Sequence, residues 1–319
     1  MHKPNVKTAR KPGFFASHRR WPWLLAAVAI AGGIGAYALS TPVRAFDESA
    51  AADFEHGDAA RGQVIFALGD CASCHTTPGQ SDRTRLGGGM ALASPFGTFR
   101  PPNISTDPQD GIGRWRGIDL ANALMAGVSP AGQHYYPALP YTSYARMRPE
   151  DVADLWAYLR TLPPVQGRVP PHELPVIFKL RRAIGFWKLL FLDSRPVVED
   201  PGKDAAWNRG HYLVEAMTHC AECHSSRNLF NAIKPETRFA GGPDQEGVGF
   251  VPNITQARLA GWSREDMVTL LTTGWTPDGR KVASSMADVV VNTASVPREE
   301  REAIAAYILS QSPRPTPKP

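Results

Sequence analysis

Cysteine is scarce in this chain: four in 319 residues, standing as two pairs. No thiol is left over for a disulfide framework beyond those pairs. Acidic side chains are missing from the first 46 positions, which hold Lys3, Lys7, Arg10, Lys11, Arg19, Arg20 and Arg44. Setting those seven aside leaves 28 bases against 30 acids, so the net charge of +5 belongs to the N-terminal tail. A basic surface for nucleic acid is therefore not indicated. Phosphate-binding loops, nucleophile elbows and separate metal-ligand motifs are also missing, which removes the common sequence signatures of catalysis.

Charge is missing again from Trp21 to Leu39. Nineteen residues at helical rise come close to spanning a hydrocarbon core. Basic residues precede this run and aromatic residues (Trp21, Trp23, Tyr37) sit near its ends, so the N-terminus is expected in the cytoplasm and the rest outside it. A cleaved signal peptide is the competing reading, with Ala36-Tyr37-Ala38 as the small-residue site. The run is long for a signal peptide, which favours a retained anchor. Both readings export the remainder of the chain.

The two cysteine pairs read Cys71-Ala-Ser-Cys74-His75 and Cys220-Ala-Glu-Cys223-His224. C-x-x-C-H is the attachment signature of a c-type haem. Two thiols bond the porphyrin and the following His stands under the iron. Zinc would not require a His directly after each pair, and a redox dithiol would need a βαβ context that the sequence does not offer. Two covalently bound haem c groups are expected, held by Cys71, Cys74, Cys220 and Cys223, with His75 and His224 as axial ligands.

Around each motif the chain repeats itself. Asp58 and Asp204 are placed to cap a helix. Gly62 and Gly210 interrupt those helices, which suggests close crossings with later helices carrying Tyr158 and Tyr307. Glycines follow at 87–89 and 241–242, then Pro102-Asn103-Ile104 and Pro252-Asn253-Ile254. Trp115 and Trp262 precede helical stretches, Ile118–Ala126 and Ser263–Thr272, ended by Gly127 and Gly274. Closing helices open at Pro149 and Pro297, each followed by acids. The organisation expected is a basic cytoplasmic tail (1–20), a transmembrane anchor or signal peptide (21–40), a haem domain (55–163), a linker (164–203), a second haem domain (204–312) and a Pro-rich tail (313–319). Within the linker, the apolar and basic segment Ile177–Leu192 is expected to pack between the domains, with contact to a membrane surface as the alternative.

From about Asp58 to Leu309 the chain resembles the membrane-associated cytochrome c subunits of bacterial periplasmic alcohol and aldehyde dehydrogenases. The most specific stretches are 94–105 (Ser-Pro-Phe-Gly-Thr-Phe-Arg-Pro-Pro-Asn-Ile-Ser), 111–115 (Gly-Ile-Gly-Arg-Trp), 136–141 (Tyr-Pro-Ala-Leu-Pro-Tyr), 273–279 (Thr-Gly-Trp-Thr-Pro-Asp-Gly) and the region of Met286. The resemblance implies an all-α fold of two tandem class I-like cytochrome c domains behind an N-terminal transmembrane helix, and electron transfer by His/Met-ligated haems. Those subunits commonly carry three haem domains, and this chain has two motifs. Their first domain usually has Met where Leu139 stands here.

A thioether opposite His suits a high-potential carrier. Met286, read as lying in a loop eleven residues before Pro297, is the sixth-ligand candidate of the second domain. Leu139 cannot ligate, so the first domain turns to Met147, eight residues further on, with Met125, Met90, His134 or an open iron as alternatives. Met217 and Met267 read as packing, and His172 and His211 as structural. Tyr135, Tyr136, Tyr141 and Tyr144 are placed to wall the first pocket. The expected function is a non-catalytic, membrane-anchored periplasmic dihaem cytochrome. It would take electrons from a periplasmic dehydrogenase and pass them to a terminal oxidase, soluble cytochrome or copper protein. The alternative is a peroxidase-like enzyme with an open iron in the first domain.

Overall fold

In the computed structural model, residues 21–245 and 249–318 are described; the basic tail 1–20 lies outside them. Helix α1 covers Trp21–Leu39, with none of its residues buried. Its length matches the uncharged run because no side chain there favours ending the helix before Ser40. The chain divides at Thr41, and Pro42 onward forms one compact body.

That body is mostly helical. Its first part holds α2 (Ala59–Leu68), α3 (Cys71–His75), α4 (Gly117–Ala126), α5 (Tyr141–Tyr144) and α6 (Pro149–Leu159), with the hairpin β1 (Leu92–Ser94) and β2 (Gly97–Phe99). After α7 (Ala183–Phe191) come α8 (Ala205–Tyr212), α9 (Cys220–Cys223), α10 (Gln256–Leu259), α11 (Arg264–Thr273), α12 (Ser285–Ala294) and α13 (Arg298–Ile308), with the hairpin β3 (Gly242–Pro243) and β4 (Phe250–Val251). The two short antiparallel hairpins are the departure from a purely helical expectation.

The same crossing is built twice. Asp58 caps α2 by accepting from Ala60 and Arg61 N–H, and Asp204 caps α8 by accepting from Trp207 N–H. At Gly62 a methyl group would stand 2.0 Å from the Asp154 carbonyl oxygen of α6; at Gly210 it would stand 1.9 Å from that of Ala303 on α13. Hydrogen alone lets these backbones touch, and that contact repays the low helix propensity of glycine. The α2–α6 crossing is also pinned by the buried Asp154 carboxylate, which accepts from Asp58 N–H (2.6 Å) and Arg61 Nε (2.6 Å).

The two parts share one core. Thr142 Oγ1 of the first part donates to Glu222 of the second at 2.5 Å. Tyr212 of α8 hydrogen-bonds Asp151 of α6 and accepts from Arg148 N–H at 2.8 Å. The connecting segment straps both. Lys188 Nζ donates to the Ala126 (2.6 Å) and Gly127 (2.8 Å) carbonyls at the C-terminus of α4, where a cation is favoured. Trp187 Nε1 donates to Phe230 in the second part.

Candidate functional site

Each motif starts as one short helical turn, which is what two sulfurs three residues apart require if they are to face the same way. Each then closes through three contacts made in parallel. The glycine N–H returns to the motif: Gly88 donates to the His75 carbonyl at 2.8 Å, and Gly241 to that of His224 at 2.9 Å. Both glycines are left-handed, at φ 67° and 86°. A methyl group would meet the Pro102 carbonyl oxygen at 2.4 Å and the Val251 carbonyl oxygen at 2.6 Å. Glycine is required at both positions by backbone conformation and by space.

The second contact orients the imidazoles. His75 Nδ1 lies 2.8 Å from the Pro102 carbonyl, and His224 Nδ1 lies 2.7 Å from that of Pro252. A carbonyl can only accept, so the proton sits on Nδ1 and the lone pair is on Nε2, ready for a metal. Burial pushes both imidazoles below the ordinary histidine pKa, outweighing the backbone hydrogen bond, and so favours this neutral form.

The third contact fixes the proline carbonyls in place. The buried Asn103 Oδ1 accepts from Ser105 N–H at 2.9 Å, and its Nδ2 donates to the Val165 carbonyl at 2.6 Å. Asn253 Oδ1 accepts from Thr255 N–H at 2.8 Å, and its Nδ2 donates to the Arg314 carbonyl at 2.8 Å. The segment behind each closing helix thus comes back to hold the loop under each His. The Pro-rich residues 313–318, expected as a tail, belong to this support: Arg314 donates to the Arg238 carbonyl at 2.7 Å.

The four thiols do not converge. Among the described residues no group of three or more His, Cys, Asp or Glu side chains is gathered as a metal would need. Burial pushes the Cys71 thiol up to about 12, and it raises Cys220 as well. A setting that favours the uncharged sulfur accommodates a neutral thioether. A cavity of about 2100 Å³ is walled by Cys220, Cys223 and His224 of the second motif and reaches the first at Ser73 and Cys74, while Cys71 and His75 are not on its wall. This volume is more than twice that typical of a single small-molecule pocket, and suits two large flat groups. Its apolar lining would keep water from such groups. The residues present therefore fit two covalently held haems.

The cavity wall carries Met286 in the second part and Met90, Phe96, Phe99 and Tyr136 in the first. Met286 lies in the first turn of α12, not in a loop as its sequence position suggested. Three successive valines, Val289 to Val291, disguise the helix, yet its buried face at Val290, Asn292 and Thr293 packs against α11 and α2. Met147, 4% exposed, packs in the core, and Leu139 is half-buried. Met125 packs at the edge of that core. His134 is buried at the isolated bridge to Val128. Met217 is buried in the core; Met267 is buried too, and also faces the cavity. His172 Nδ1 accepts from Arg100 N–H, and His211 stacks on Tyr307. Of the four tyrosines, Tyr136 reaches the cavity and donates to the Phe178 carbonyl at 2.8 Å, while Tyr141 is fully buried beneath Lys188. The linker residues on this wall, among them Phe178, Phe186, Trp187 and Phe191, could not be assigned from periodicity.

This helical scaffold, with its paired thiols and Nδ1-anchored imidazoles, is that of a c-type cytochrome, and the cytochrome c family model matches residues 59–163. Comparison with known proteins narrows the class. The chain is 47% identical over 289 residues to a "Diheme cytochrome c-type" protein of Cereibacter sphaeroides, covering 89% of this chain and 95% of that one. It is 36% identical to the "Fructose dehydrogenase cytochrome subunit" of Gluconobacter japonicus and 32% identical to the cytochrome c subunit of the quinone-dependent alcohol dehydrogenase of Gluconobacter oxydans. Those matches cover 78% and 88% of this chain but only 52% and 59% of the relatives. The chain belongs to the dihaem c-type cytochromes. It carries two covalently bound haem c groups, and its place is that of an electron-transfer protein rather than a catalytic enzyme.

Proposed function

We propose that this protein is a membrane-anchored periplasmic dihaem cytochrome. Its two tandem class I-like haem domains (55–163 and 204–312, joined by 164–203) would take electrons from a periplasmic dehydrogenase and hand them to the respiratory chain. The observation that carries the reading is the doubled site: two C-x-x-C-H turns with the same His–Pro and Asn supports, beside a mainly apolar cavity that holds Cys220, Cys223 and His224 and reaches Cys74. Haem supplies reversible one-electron chemistry at iron, and the protein's part is to hold it, tune it and limit water. Cys71 with Cys74 and Cys220 with Cys223 would hold the two groups. His75 and His224 present Nε2 with the opposite nitrogen committed to a carbonyl. Met286 is the proposed sixth ligand in the second domain, and Met147 in the first. A dehydrogenase donor is supported by relatives named as cytochrome subunits of fructose and alcohol dehydrogenases. Helix α1, long and apolar enough to cross a membrane, supports the anchor.

The test is made on protein isolated from membranes. It should stay membrane-bound through carbonate washing, and be reduced quickly by a dehydrogenase supplied with its substrate. On its own it should oxidise no alcohol, aldehyde or sugar. Unaided substrate oxidation would defeat the carrier reading, and release by carbonate would defeat the anchor.

The ligand assignment makes a separate prediction. Met286→Ala should abolish the thioether-to-iron absorption of one ferric haem, and Met147→Ala that of the other, each leaving two haems per chain. An unchanged spectrum in Met147→Ala would mark that residue as core packing. The search would then pass to Met90, which faces the cavity, and to His134.

A further inference from the structure

We propose that Arg83 and Asn292 clasp the two centres into one coupled unit, so that the first haem's attachment loop positions the helix carrying the second haem's sixth ligand. The inference rests on the reading of Met286 as that ligand. Arg83 follows the first motif by eight residues; its guanidinium lies 3.1 Å from Asp288 and donates to Asn292 Oδ1 at 3.1 Å and to Ser73 Oγ at 3.0 Å. Ser73 stands between Cys71 and Cys74. Asn292 Nδ2 donates in turn to Ser73 Oγ at 3.1 Å and to the Asp70 carboxylate. Ser73 closes the set by donating to Asp70 at 2.5 Å. Asp288 and Asn292 follow Met286 by two and six residues on α12.

Packing alone would not need this arrangement. The start of α12 is poorly secured from within: Ser284 lies at φ 55°, left-handed for a non-glycine residue, and gives no side-chain cap. At its far end α12 is held within its own part, where Thr293 Oγ1 donates to the Leu271 carbonyl at 2.6 Å and Arg301 donates to the Thr293 carbonyl at 2.9 Å; the side-chain contacts at Asp288 and Asn292, nearer Met286, come from the first centre. Asn292 is buried, and its amide spends both oxygen and nitrogen on groups of that loop. Hydrogen bonds to charged groups are the stronger kind, and they are costly to break when buried. The residues that immediately precede the two motifs also meet, with His219 Nε2 3.8 Å from Asp70 Oδ2. The two attachment turns are thus neighbours, and a displacement at one is felt by the ligand helix of the other.

The experiment uses the full-length protein with both haems in place and compares wild type, Arg83→Ala, Arg83→Lys, Asn292→Ala and Met286→Ala. Haem count, the two midpoint potentials, and the pH at which the ferric thioether-to-iron absorption disappears are measured. In Arg83→Ala and Asn292→Ala the methionine-on equilibrium of the second haem should weaken by about tenfold, roughly what one charge-assisted hydrogen bond is worth. Its absorption would then be lost at lower pH, and the separation of the two potentials should change. Arg83→Lys keeps the charge opposite Asp288 but not the fork, and should fall between. A role in stability alone would lower the melting temperature and leave potentials and absorption where they were. That result, with two haems bound, overturns the proposal. If the alanine variants fail to mature, Asp288→Asn removes only the half-exposed ion pair and is read in the same way. An unchanged spectrum in Met286→Ala overturns the ligand reading instead, and is seen separately from the clasp variants.

Discussion

Replacing Cys71 and Cys74 together by alanine is expected to leave a protein with one covalent haem and a first half that no longer holds its fold. The haem count follows from the motif, since both thioether positions are removed while Cys220 and Cys223 remain. The collapse follows from the cavity. Side chains such as Phe96, Phe99 and Tyr136 face it, and without the bound group they exchange apolar contact for water. Burial of one large aromatic side chain contributes ~2–3 kcal/mol, so losing several contacts at once rivals the 5–15 kcal/mol by which ordinary domains are stable. A pyridine haemochrome assay on acid–acetone-extracted protein checks the count. Proteolysis checks the fold, with early cleavage expected between residues 59 and 163. Two haems in the double variant would sink the attachment reading. One haem with an unaltered proteolysis pattern would sink the claim that the cofactor is part of the core.

The second large effect is expected at Gly210. Alanine there brings Cβ to 1.9 Å from the Ala303 carbonyl oxygen, which is backbone in the middle of α13 and cannot swing aside. Helices α8 and α13 must separate, and the damage spreads. His211 stacks on Tyr307 next to the crossing, and Tyr307 donates to the buried Glu215 at 2.8 Å. Glu215 also accepts from Arg238 (2.5 Å) and Arg146 (3.4 Å), which lie in different halves of the chain. Overpacking typically costs ~1–3 kcal/mol, and a rigid backbone neighbour puts Gly210→Ala at or above the upper end. The measurement is thermal unfolding followed at the haem absorption. Gly62→Ala, with its methyl 2.0 Å from the Asp154 carbonyl, should behave alike in the first half. A helix-favouring substitution that left the melting temperature unchanged or raised it would show that the crossing is not as tight as drawn.

Both glycines were legible before the fold was known. A glycine inside a capped, apolar helix is a local cost, and its recurrence in a repeated segment points to a shared tertiary reason. The helix caps at Asp58 and Asp204 and the left-handed stops at Gly127 and Gly274 were legible for the same reason: they are decided within a few residues of backbone. Helix α12 was not, because a run of valines reads as strand or loop until its partners are known. The linker segment was expected to pack between the domains or to touch a membrane surface; Lys188 and Trp187 meet both halves, while Ile177, Leu180, Leu189 and Leu190 stay exposed. The linker's cavity-facing aromatics, however, depend on where α4 and the Phe230 loop end up.

By itself, the sequence determined the chemistry: two thiol pairs each followed by His, an uncharged 19-residue run behind a basic tail, and a unit written twice. These are covalent spacings and local propensities, and they hold however the chain folds. Tertiary structure alone decided how the two centres are related. Asn292 meets Asp70 across 222 residues of chain, and Arg83 meets Asp288 across 205. The proline carbonyls that set the histidine tautomers, and the returning segments that steady them, were settled the same way. No periodicity encodes such pairs. They arise because buried polar groups must find partners, and which partners are in reach is known only once the helices have packed.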